Sequence, residues 1–120
     1  MLTSYKQLLV WQKAVEFVVD VYRITKMFPK EELFGLTSQV RRAAVSIPAS
    51  IAEGYSRKHT KEYIQFLRIA FGSGAEEETH LLIACKIGYL NQKDYNYLIL
   101  KLTEIMKMLN ILMQRLDPKP

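Results

Sequence analysis

An all-α chain folded as an antiparallel up-down-up-down four-helix bundle is the fold class the sequence predicts. Three observations carry it. Apolar residues recur at helical spacing through four segments, 6–27, 36–55, 61–87 and 92–116. Between them lie short stretches marked by Pro29, Gly35, Gly54, Gly88 and Asn91, residues that punctuate helices. Loops this short make consecutive helices antiparallel neighbours. No strand-like alternation, internal repeat or low-complexity run competes with this pattern, and 120 residues suffice for one domain, 1–120, with one core.

In the first segment, Val10, Ala14, Phe17, Val21, Ile24 and Phe28 form one stripe. Leu8, Trp11, Val15, Val18 and Tyr22 form another beside it. One stripe faces the core, and the second asks for a further partner. Pro29 ends this helix and Gly35 marks a turn. The second helix contains Pro48, which removes a backbone hydrogen bond to Ala44 and is expected to kink it; Gly54 and the following "SRKH" make its exit. Thr60 is the expected N-cap of the third helix, with Glu62 in its first turn, Gly72 and Gly74 weakening its middle and Gly88 at its end. Asn91 and Asp94 resemble a capping box ahead of the fourth helix. Its seam runs through Tyr95, Leu98, Leu102, Ile105, Leu109, Leu112 and Leu116, and "DPKP" stops it.

Composition excludes several functional classes. Hydrophobic residues at 49% and charged residues at 24% are ordinary for a globular domain. No run approaches the roughly 20 apolar residues a membrane helix needs, and polar residues interrupt the N-terminus too often for a signal peptide. The single cysteine, Cys85, permits no internal disulfide and suits a reducing cytoplasm. A net charge of +5 accommodates an RNA or another acidic partner, although a solvated surface explains it equally well.

Chemistry could sit in three places. Glu77-x-x-His80 has the spacing of a ligand pair in di-metal bundles, but no second copy or further inward carboxylates complete such a site. Cys85 lies among Leu82, Ile83 and Ala84 and reads as a small buried residue. Without a phosphate loop, a triad or paired carboxylates, the chain reads as non-enzymatic, with no metal and no cofactor. The acidic run Glu76, Glu77, Glu78 spans roughly 200° of helix, so at least one carboxylate must point toward neighbouring helices. The third place is "SQVRRAAVSIPASIAEG", where arginines, small residues, a proline and a glutamate share one helix. One reading is an ion-pair network between helices two and three, built from Arg41, Arg42, Glu53, Glu76 and Glu78. On that reading, truncating Arg42 would cost roughly 2–5 kcal/mol. The other reading is a basic surface for phosphate.

The segments "VWQKA" (10–14), "LTSQVRRAAVSIPASIAEGYSR" (36–57) and "FLRIAFGSGAEEETHLLIA" (66–84) resemble the 23S rRNA-intervening-sequence proteins, a family of four-helix-bundle proteins. Two departures show: Ser50 stands where the family usually has Asn, and Glu77 where it has an apolar residue between two glutamates. The resemblance implies a left-handed bundle assembling as a homopentameric ring, with no enzymatic activity. Relatives include proteins encoded within 23S rRNA insertions, and a similar accessory factor of diversity-generating retroelements binds nucleic acid and a reverse transcriptase.

Two functions follow as expectations. The first is a non-catalytic RNA- or DNA-binding oligomer whose interface is the turn carrying Arg57, Lys58, His59 and Lys61, diluted by Glu62. A ring would repeat that turn and make a weak patch multivalent. The second is a protein-interaction scaffold, or accessory factor, without nucleic-acid binding. Assembly itself is expected from the double stripe on the first helix and from Ile99, Met106 and Met113, taken as an exposed stripe on the fourth.

Overall fold

The computed structural model describes residues 2–117. Four α-helices follow in order: α1 (Leu9–Thr25), α2 (Leu36–Tyr55), α3 (Thr60–Lys86) and α4 (Gln92–Leu116). Among the described residues there is no strand. Each helix packs on its neighbour in sequence, and α1 closes against α4, within a body of 43 × 25 × 20 Å.

The apolar seams form the core as expected. Val10, Ala14, Phe17, Val21, Ile24 and Phe28 are all buried, and they meet Ile47 and Ile51 of α2, Leu67 and Leu81 of α3, and Leu98, Leu102 and Leu109 of α4. The second stripe of α1 is half-buried, with Leu8, Trp11 and Val18 packed against the same core. Ile99, Met106 and Met113, expected to be exposed, also rest half-buried on it. The most exposed apolar side chain of α4 is instead Leu100, at 74%, and that of α1 is Val19, at 61%.

Helix ends follow local chemistry, with corrections. Ser4 and Gln7 form a reciprocal capping box over a 3-10 turn, Tyr5–Gln7, so α1 itself starts only at Leu9. At the far end of α1, Pro29 opens a second 3-10 turn, Lys30–Glu32. Glu32 then ties two loops together: one carboxylate oxygen accepts the Leu36 N–H at the start of α2 (3.1 Å), and the other accepts the Tyr89 hydroxyl (3.0 Å). Thr60 is the first residue of α3, and His59 occupies the cap position without a side-chain bond. Asn91 caps α4 by accepting the Asp94 N–H at 2.7 Å. Gly88, at φ +88°, takes the left-handed conformation that closes α3, while the Tyr89 N–H donates to Ala84 O at 2.9 Å.

Two residues inside α2, Pro48 and Gly54, are buried against its neighbours. α2 continues as helix through the buried Pro48. α2 ends at Tyr55, as expected, and Gly54 just before that exit is also a buried point of close approach: a Cβ there would lie 2.7 Å from Phe66 Cβ and 3.1 Å from Tyr63 O. Facing pairs along these helices run in opposite directions, from Tyr55 against Tyr63 to Ser46 against Ser73, whose hydroxyls are 2.8 Å apart. The same reversal holds for α1 and α4, from Lys13 against Glu104 to Asp20 against Lys101.

Candidate nucleic-acid interface

Residues 56–59 join α2 to α3, and the close approach at Gly54 brings the two helices tightly together just before it. All four expected interface residues, Arg57, Lys58, His59 and Lys61, are exposed at this end of the bundle. They are not equivalent. Arg57 is held by Glu53, 2.9 Å away, and lies 3.9 Å from Glu62, while its guanidinium stacks over Phe66 at 4.8 Å. Two acids therefore offset its charge. Lys58 and Lys61 form no ion pair with any described residue and carry the turn's available positive charge.

The aromatic rings nearby belong to the packing. Tyr55 and Tyr63 meet edge to face at 5.8 Å, and the Tyr55 hydroxyl donates to Leu2 O at 3.1 Å. Burial, with Tyr55 alongside, pushes the Tyr63 phenol up to about 12, so it stays neutral. The surface at this turn therefore offers cations without a stacking ring, which suits backbone contacts better than base recognition.

The expected ion-pair network between α2 and α3 does not form among the described residues. Arg41 turns to α1, where its Nε donates to Thr25 Oγ1 at 2.9 Å and its guanidinium lies 4.6 Å from the Tyr22 ring centre. Arg42 is exposed beside a groove of about 340 Å³ that Glu76 and His80 also line. Glu53 pairs within its own turn with Arg57, and Glu78 is half-buried without an ion pair. The reason is angular: each residue rotates about 100° around the helix, so adjacent arginines address different neighbours. We accordingly expect Arg42→Ala to shift stability within about 0.5 kcal/mol. A thermal melt of the variant checks this.

The interhelical charge network lies elsewhere, between α1 and α4. Asp20 accepts hydrogen bonds from Lys101 (2.6 Å), Tyr97 (3.0 Å) and Arg23 (3.2 Å). Burial opposes its ionisation, but these three donors outweigh it and hold the carboxyl below its ordinary range. Periodicity carries no signal for such a pairing.

Glu77 is the most unusual group in the chain. Its side chain is 0% exposed, neither carboxylate oxygen has a hydrogen-bond partner among the described residues, and His80 Nδ1 lies 3.8 Å away, also unpartnered. Burial, helped by the charge of Glu76, pushes its carboxyl up to about 9, so it is neutral at physiological pH. The described residues hold no group of three or more potential metal ligands around this pair. Cys85, expected to be buried, is half-buried against the core, its Sγ 3.8 Å from Gln92 Oε1.

No curated protein matches the sequence. Among solved structures, a protein of unknown function from the S23 ribosomal protein family of Bacteroides thetaiotaomicron superposes with a TM-score of 0.83. It is 26% identical, and the match covers 88% of this chain and 99% of that one. No described helix is long and apolar enough to cross a membrane. The 23S rRNA-intervening sequence protein model matches residues 6–111, nearly the whole bundle. With four helices and the fold of an S23-family structure, the chain belongs to the 23S rRNA-intervening sequence protein family.

Proposed function

We propose that the chain is a non-catalytic, oligomeric nucleic-acid-binding protein that acts in the cytoplasm on structured RNA or DNA. The observation that carries this reading is the exposed turn between α2 and α3, where Lys58 and Lys61 stand without an acidic partner among the described residues. Two cations reach about two phosphates, a weak and sequence-independent contact that becomes useful when several copies act together. An up-down-up-down, left-handed subunit in a homopentameric ring would supply those copies. The reversed pairings of α1 with α4 and of α2 with α3 support that topology. The exposed Val19 and Leu100 supply apolar surface for assembly.

The test has two parts. Light scattering at micromolar concentration is expected to report a closed oligomer, and a 14.0 kDa species would exclude it. The Arg57, Lys58, Lys61 triple alanine variant, with assembly intact, is expected to bind structured RNA at least about tenfold more weakly, with a shallower salt dependence. Most of that loss should come from the two lysines, because Arg57 is already paired. Unchanged affinity would favour the second reading, a protein-interaction scaffold. That reading has its own observation at the opposite end of the bundle, where Met27 and Phe34 are exposed at 83% and 94%.

A further inference from the structure

We propose that a groove between the start of α3 and the end of α4 seats the phosphate backbone of the bound RNA strand, with Lys61 and Arg68 as its contacts. This rests on the nucleic-acid reading above. The groove encloses about 370 Å³, and both cations line it together with Ile64 of α3 and Leu116 of α4. Lys61 and Arg68 are seven residues apart, two helical turns, and so point the same way about 10 Å from each other along α3. That separation lets the two cations engage neighbouring phosphates of one strand.

The contrast with Arg57 is what distinguishes this groove. Arg57 lies nearest the turn but is engaged by Glu53, Glu62 and Phe66. Arg68 lies outside the basic cluster of the sequence, yet it is exposed and forms no ion pair with a described residue. Its planar guanidinium can hold a phosphate through two parallel hydrogen bonds, which an ammonium cannot. The buried Ile64 lies between the two cations and gives the groove an apolar floor. Asp117 is the acid of the groove, so a strand lying there should favour the α3 wall. Contacts of this kind read charge and spacing, with little preference for base.

The test uses the intact oligomer and a fluorescent single-stranded oligouridylate, titrated over a range of salt concentrations. Arg68→Gln and Lys61→Gln are each expected to weaken binding about threefold to tenfold and to lower the slope of log affinity against log salt by about 0.7. Arg68→Lys should recover part of the affinity and the full slope, and Asp117→Asn should tighten binding. Inorganic pyrophosphate in millimolar excess should compete weakly; complete displacement by it would mean a small-anion site and overturn the strand assignment. If the parent binds while Arg68→Gln matches it in affinity and slope, and Lys58→Gln loses affinity, the groove is wrong and the nucleic-acid reading stands. A parent that does not bind in low salt removes both.

Discussion

Glu77→Leu is expected to stabilise the protein by about 2–4 kcal/mol at pH 7, a sign opposite to that of most changes at buried positions. The wild-type carboxyl lies 0% exposed with both oxygens unpartnered among the described residues, so folding strips it of water without replacing the lost hydrogen bonds. Leucine has a comparable size and nothing to desolvate. The effect should depend on pH. In the unfolded chain Glu77 ionises near the ordinary glutamate value of 4.5, whereas in the fold its pKa is pushed up to about 9. Between those values the folded state holds a proton that the unfolded state has released. Stability is therefore greatest below the unfolded pKa and falls as pH rises toward 9, by up to about 1.4 kcal/mol per pH unit.

Asp20 acts in the other direction. Its folded pKa is depressed, so its contribution is present above the unfolded value of 3.8 and is lost as pH falls through the folded one. Together the two groups place maximum stability on the acid side of neutrality. Denaturant titrations of parent, Glu77→Leu and Glu77→Gln at pH 5, 7 and 8.5 test this, with both variants expected to flatten the profile. A Glu77→Leu protein that melts at or below the parent at pH 8.5 would show that the carboxyl has a partner in the assembled protein.

Gly54→Ala carries the next largest effect, a net loss of about 1–3 kcal/mol. Considered alone, alanine should help, because it favours an α-helix over glycine by about 1 kcal/mol. Here its Cβ would meet Phe66 Cβ at 2.7 Å and Tyr63 O at 3.1 Å, and neither atom can swing aside without moving α3. Separation of the helices would disturb the Tyr55–Tyr63 contact and the cations of the turn together. Melting temperature and RNA affinity should therefore fall in parallel. A variant as stable as the parent would mean that α2 and α3 slide apart at little cost.

Much of the fold was legible in the sequence for a local reason. A helix buries one stripe, so the spacing of Val10, Ala14, Phe17 and Val21, or of Leu98, Leu102, Ile105 and Leu109, reports the core directly. α2 and α4 fall at the expected residues because Gly35 and Asn91 act on backbone groups within a few positions of themselves. The start of α1 was less legible, since the Ser4–Gln7 box closes a separate 3-10 turn that breaks the helical register at Leu8. Glycine was the least legible residue: Gly88 and Gly54 look alike in the sequence, yet one supplies a left-handed φ and the other an absent side chain.

The candidate site divides along the same line. Sequence alone determined that Arg57, Lys58, His59 and Lys61 crowd an exposed turn between two helices, because turn position and exposure follow from local pattern. Only the tertiary structure decided which of those charges are available. Arg57 meets Glu53 one helical turn away and Glu62 across the turn, whereas Lys61 shares its groove with Arg68. It likewise decided that Arg41 addresses α1, that Asp20 draws Lys101 from α4, and that Glu77 alone of three adjacent acids is fully buried. Long charged side chains pair according to the rotation of each helix about its axis and the neighbour it meets there. Those are properties of the packed bundle, and a one-dimensional pattern of polar residues does not contain them.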